Sequence, residues 1–149
     1  MNVGKKFEQD FKMSCPEEIL ILRLIDSSYG ANPCDFIVYE KPYFYMLELK
    51  STKLKRLPKD MIRPKQLESM YYANKVEGVT AGFLVNLREV DNETYFLNGV
   101  DVWTAFQDPD KKSLSLKDIR LMGEKVESIK KRTRYRYDYE FLRRISNDR

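Results

Sequence analysis

The chain contains no histidine. Histidine-based triads, zinc sites with imidazole ligands and imidazole acid–base chemistry are therefore excluded. Cysteine is scarce: Cys15 and Cys34 are the two present, and an all-cysteine zinc site needs four thiolates. They could close one disulfide, but nothing else in the sequence has a secreted character. Two reduced thiols in a cytosolic protein is the preferred reading. Long apolar runs are missing as well. Ile19–Leu22 is far too short to cross a bilayer, so no membrane partner is expected. The opening residues MNVGKKFE have no apolar h-region, which predicts no secretory signal. There is no internal repeat, low-complexity tract or Gly/Ser linker. The chain reads as a single domain over 1–149 with a basic C-terminal segment at 129–149.

What is present is a charged, globular composition. Of 149 residues, 42% are hydrophobic and 34% charged. Folding at this length buries roughly 70% of the unfolded surface, enough for a core without disulfides or structural metal. Lys and Arg number 27 against 23 acidic residues, a net charge of +4. That excess permits a polyanionic partner without demanding one.

Local signals place the elements. Asn2 to Met13 is predicted as a helix, capped by Asn2, with Val3, Phe7 and Phe11 recurring every four residues. Ile19 to Asp26 favours strand over helix, and Ser27 to Pro33 is loop chemistry. Cys34–Tyr39 and Phe44–Ser51 read as paired strands. Thr52 to Ile62 is a basic loop, and Pro64 opens a helix running to about Asn74. Thr80–Leu87 and Thr94–Leu97 are strands, and Val100–Phe106 a short helix. Ser115 caps another helix, with Leu116, Ile119 and Met122 on one side. Tyr139 to Ile145 is an apolar-basic turn. This order predicts an α/β fold, a mixed central sheet flanked by helices.

The most informative stretch is Asp35 to Lys50. If Phe44–Lys50 is a strand, Glu48 and Lys50 share one face with Met46, and Leu47 and Leu49 take the other. Either a two-residue turn at Lys41-Pro42 or a four-residue loop from Glu40 to Tyr43 brings Asp35 directly opposite Glu48. Pro42 disfavours the two-residue version, which wants φ > 0 there. Opposed Cβ atoms lie about 4.5–5.5 Å apart. Two carboxylates so close repel unless a cation lies between them. As hard oxygen ligands they suit Mg²⁺, with Mn²⁺ as a substitute, and a backbone carbonyl such as that of Leu49 can add a third oxygen. Lys50 alongside could orient or activate a water, or stabilise charge on a phosphate. Such a constellation fits metal-dependent phosphodiester hydrolysis. Taken alone, Glu48 and Lys50 fit a solvated edge pair equally well.

Lys50, Lys53, Lys55, Arg56, Lys59, Arg63 and Lys65 form a basic run after this hairpin. It fits phosphate contact or a solvated loop. Lys130, Lys131 and Arg132 open a second basic stretch, in which cations alternate with tyrosines through Tyr137. That stretch suits stacking on bases, or an edge strand with its tyrosines packed inward. Trp103 and Phe106, three apart, read as core.

The arrangement resembles the PD-(D/E)xK nuclease superfamily with its restriction-endonuclease-like sheet. Within it, the sequence is most similar to the RecU-type Holliday junction resolvases of Gram-positive bacteria and their phages. The resemblance rests on Asn2-x-Gly4-x-x-Phe7-Glu8, Asp35 before a hairpin, Glu48-Leu49-Lys50-Ser51-Thr52, Gln66-Leu67-Glu68-x-Met70, Gly82–Asn86 and Tyr95-Phe96-Leu97. It implies that Asp35 and Glu48 bind the metal and Lys50 serves the nucleophilic water. It further implies that Glu8 completes the acidic cluster, directly or through water, and that Gln66 orients water or phosphate. Four-way DNA junctions would be cut by paired nicks leaving a 5′-phosphate, by a homodimer, in the cytoplasm of a bacterial cell or phage-infected host. Ser14–Pro33 is too short and apolar for the basic stalk of longer members. A branched- or duplex-DNA endonuclease without junction selectivity, and a non-catalytic junction-binding accessory protein, therefore stay open as alternatives. The superfamily's Pro-Asp pair is here Pro33-Cys34-Asp35, and a helix position that is often His in relatives is Arg63.

Overall fold

The structure, a computed structural model, describes residues 2–25 and 32–146. The expected strand end at Asp26 and the loop residues Ser27–Ala31 lie outside the described residues.

The first helix, α1 (Val3–Ser14), begins where Asn2 accepts the Lys5 amide at 2.8 Å. Its four-residue stripe buries Phe7 and Phe11. Three antiparallel strands follow: β1 (Leu20–Arg23), β2 (Phe36–Glu40) and β3 (Tyr43–Thr52). The β2–β3 ladder pairs Tyr39 with Phe44, as expected, and also Glu40 with Tyr43. The turn is therefore the two-residue one that Pro42 was expected to disfavour. Its Lys41–Pro42 peptide bond is cis, which sets proline where a type VI turn carries it.

The predicted basic loop holds structure of its own. Strand β4 (Arg56–Pro58) is followed by a 3-10 turn at Lys59–Met61. Pro64 occupies the first position of α2 (Pro64–Ala73), which crosses over to β5 (Val79–Leu87), parallel to β3. Then come β6 (Glu93–Asn98), α3 (Gly99–Ala105), β7 (Ser113–Ser115) and α4 (Leu116–Met122). Ser115 caps α4 in a reciprocal box with Asp118. The last elements are β8 (Glu124–Lys125), β9 (Ser128–Lys130), β10 (Tyr135–Tyr137) and α5 (Phe141–Ile145).

The main sheet has the order β1-β2-β3-β5-β6-β8. Strand β5 lies inside it and is buried on both faces, and it is mostly apolar, interrupted by buried Thr80 and Asn86. A Cβ at Gly82 would come 2.7 Å from the Phe96 ring, so this close packing of β5 on β6 requires glycine. Alternate residues feed two cores. One side joins Phe7 and Phe11 of α1 to Val38, Leu47, Leu84 and Phe96 of the sheet, closed by Tyr137, Phe141 and Leu142. The other joins Met70 of α2 to Phe83, Val85, Val102 and Ile119, with Leu57 and Leu114 from the small β4–β7 sheet. The basic C-terminal segment is thus partly core: Phe141 and Leu142 are fully buried.

The second basic stretch is a β9–β10 hairpin laid on α1. Asp10, itself buried, accepts the Tyr135 amide at 3.1 Å and the Lys6 ammonium at 2.6 Å, and Ser14 accepts the Tyr137 amide. Tyr137 points into the core and Arg136 outward, so of the two readings of this stretch the structure has the inward-packed tyrosine.

Candidate active site

The candidate residues meet at the end of the sheet where β2 begins. Asp35 lies one residue before β2. Its amide donates to the carbonyl of Leu47, the ladder partner of Phe36, at 3.0 Å, so the regular pairing ends in a bulge, and its carboxylate lies against that of Glu48. The Asp35 carboxylate accepts the Leu49 amide at 2.8 Å. The β2 ladder stops at Leu47, so Leu49 turns its amide, and with it its carbonyl, toward Asp35 rather than toward a neighbouring strand. Glu48 and Lys50 share the face of β3 that carries Met46, and the Lys50 ammonium lies 3.0 Å from the Glu48 carboxylate. Glu48 is buried and Lys50 half-buried. An exposed edge pair, the alternative reading of these two residues, would be solvated on the surface.

Burial sets the electrostatics. It pushes the Asp35 carboxyl up to about 6, and the Glu48 charge pushes in the same direction. The Leu49 amide and Arg23 pull it partly back. The Cys34 thiol, next to both acids, is pushed up to about 12, first by burial and then by their charges. Both cysteines are free thiols.

Arg23, which sequence reasoning passed over, closes the site from β1. Its guanidinium holds Glu8 at 2.5 Å, approaches Asp35 at 3.6 Å, caps the Leu24 carbonyl and lies over the Phe36 ring. Arg23 thus bridges Glu8 and Asp35. Among the described residues no three Asp, Glu, Cys or His side chains gather as a ready metal cage. The one sequence signal for Arg23 was a lone cation ending an apolar strand.

Gln66 faces inward from the first turn of α2. It is 3% exposed, and neither its amide nitrogen nor its oxygen has a partner. It lines a cavity with Asn32, Pro33, Arg63 and Ser69, reached from the chain that leads into Asp35. A buried amide without partners is costly unless something it binds satisfies it. Lys53, Lys55, Arg56, Arg63 and Lys65 are all exposed along the segment leading from β3 to α2. Lys130, Lys131 and Arg132 are exposed at the tip of the β9–β10 hairpin, on the α1 side of the sheet. By contrast Arg143 is engaged by Glu40, and Arg144 by Glu124.

Comparison with known proteins agrees with this architecture. The model of the RecU family, recombination protein U, matches residues 26–141. The chain belongs to that family. It is 27% identical, over 91% of its length and 82% of the relative's, to an SPbeta prophage-derived uncharacterized protein, YotM, of Bacillus subtilis (strain 168). Its fold is similar to that of Hjc, a Holliday junction resolvase of Archaeoglobus fulgidus. The TM-score is 0.52 at 15% identity, covering 72% of this chain and 83% of Hjc. The expected mixed sheet flanked by helices is the fold found. Among the described residues no helix is long and apolar enough to cross a membrane.

Proposed function

We propose that this protein is an endodeoxyribonuclease that resolves four-way DNA junctions, one nuclease domain over 1–149 acting as a homodimer. The observation that carries the reading is the register of one hairpin in a RecU-family chain. It brings half-buried Asp35 against buried Glu48, with the Lys50 ammonium 3.0 Å from the latter.

The residues present fit a divalent cation. Burial and Glu48 together hold Asp35 back from ionising, and a hard cation between the two carboxylates relieves both effects. Asp35, Glu48 and the Leu49 carbonyl would hold Mg²⁺ or Mn²⁺. When bound, the ion supplies Lewis acidity at the phosphate and lowers the pKa of a bound water. Lys50 donates from its ammonium to orient that water and to balance charge at the phosphate. Arg23, steadied by Glu8, fixes the Asp35 carboxylate. Gln66 offers its free amide to water or phosphate. The exposed cations from Lys53 to Lys65 and at Lys130–Arg132 track the DNA backbone. The scissile strand leaves with a 5′-phosphate.

Two copies supply the paired nicks. Leu20, Leu22 and Tyr39 lie on the sheet face away from α1, Leu20 directly opposite Tyr39 and Leu22 opposite Ile37, and are 51%, 48% and 41% exposed. An apolar patch of this kind supports self-association.

A synthetic four-way junction, incubated with and without Mg²⁺ or Mn²⁺, tests the reading. Wild-type protein is expected to nick it only with metal, and Asp35→Ala and Glu48→Ala to bind it without cutting while keeping a native circular dichroism spectrum. Undiminished cutting by either variant removes the site assignment. Competition between junction and linear duplex at fixed salt measures selectivity, which a chain lacking the basic stalk must draw from its other contacts.

A further inference from the structure

A cleft of about 1380 Å³ opens between β4, the 3-10 turn, α2 and α3, and the acidic pair does not use it. Trp103 forms one wall, its ring stacked on Tyr71 at 4.1 Å, and Tyr72, 57% exposed, stands beside it. Sequence reasoning assigned Trp103 and Phe106 to the core. Phe106 is buried there, and Trp103, half-buried, packs against that core on one side and lines the cleft on the other. Arg56, Lys59, Arg63 and Lys112 surround the opening, against Asp60 and Glu68. Arg63 and Pro64 also line the cavity of Gln66, so the two cavities are neighbours.

We infer that this cleft takes an unpaired stretch of DNA. A base stacks on the aromatic wall of Trp103 and Tyr72, and the adjoining phosphates meet Arg56, Arg63 and Lys112. The inference rests on the nuclease reading, because base pairs at a branch point open more readily than those inside a duplex. Aromatic faces interleaved with cations are the chemistry that holds single strands regardless of sequence. Bases inside an intact duplex are already stacked and cannot reach the wall. A second copy of the chain is a poorer occupant, since a two-fold contact would set this cationic rim against itself.

Trp103 is the single tryptophan of the chain, so its emission reports this cleft alone. The experiment titrates wild-type protein, in EDTA, with a short oligothymidylate, a blunt duplex and a four-way junction. DNA binding is followed in parallel by the anisotropy of a label on the DNA. Oligothymidylate and junction are expected to quench Trp103 saturably, in step with anisotropy and less so at higher salt. The duplex is expected to leave the emission unchanged. Lys112→Glu is expected to weaken oligothymidylate binding several-fold without altering the emission of the free protein. The inference is overturned if anisotropy saturates while Trp103 stays silent, if the duplex quenches equally, or if emission follows protein concentration without DNA, the mark of a second copy in the cleft. Failure here alongside metal-dependent junction cutting leaves the nuclease reading intact. Quenching without cutting under any divalent ion does the reverse.

Discussion

At the scale of single residues, the site is built against its own stability. Asp35 and Glu48 would be better separated or neutral in a protein selected for folding alone. The Asp35 carboxyl, ordinarily near 3.8, sits at about 6 in the folded chain. Between those values the unfolded chain has released a proton that the folded one still holds. Stability therefore falls as pH rises through that window and stays lower above it. Asp35→Asn, which cannot ionise, is expected to raise the Tm of the metal-free protein by a few degrees at about pH 8 and to give no gain at about pH 3.5, by thermal unfolding. A stabilising substitution that abolishes cutting is the signature of a functional acid. The approach of Asp35 to Glu48 was legible in the sequence because it depends on one short hairpin: a two-residue turn and a four-residue loop keep the same register, although a three-residue loop would have broken it. Arg23 was not legible. Its place beside Asp35 depends on the β1–β2 pairing, made across an intervening loop whose length and course no local signal specifies. Gln66 entered only through resemblance, since a lone glutamine on a helix has no signature of burial.

At the scale of elements, the same division holds. Helices α1, α2 and α4 were readable because caps, proline at the first position and four-residue apolar stripes are local. Strand β5 was readable because an inner strand is mostly apolar on both faces. The β4–β7 pair, β8 and the β9–β10 hairpin are two or three residues long, too short to show alternation, and β4 and β7 are widely separated partners. Helix α5 was expected only as a turn because five residues carry little period. It nonetheless closes one core: Phe141 packs on Phe11 and Phe96 at ring separations of 6.1 and 6.4 Å. Phe141→Ala is expected to cost about 3–5 kcal/mol in urea unfolding, the range for a fully buried aromatic. A loss below about 1 kcal/mol would mean that the C-terminal segment is peripheral after all.

At the scale of the whole molecule, positive charge among the described residues is exposed at the segment before α2, at the rim of the Trp103 cleft and at the tip of the β9–β10 hairpin. The hairpin tip lies on the α1 side of the sheet and the other two on the α2 side. DNA held by all of them is expected to bind with a steep salt dependence. Lys131→Glu with Arg132→Glu should reduce the slope of log affinity against log salt by about 0.9 for each phosphate that is no longer neutralised. An unchanged slope assigns the hairpin to solvent. Self-association is separable from this. Leu22→Glu places a charge in the exposed patch of β1 and β2 and is expected to yield monomers in analytical ultracentrifugation, which bind a junction but do not make coordinated double nicks.

Helix α1 brings Glu8 to the Arg23 clamp, and part of what seats α1 lies far along the chain: Asp10 is tied to Tyr135, 125 residues later, and Phe11 packs on Phe141. During translation the ribosome delivers one half of this arrangement long before the other. A truncation ending before residue 135 carries every acid of the site but lacks that anchor, and is expected to be inert toward junctions even when it stays in solution.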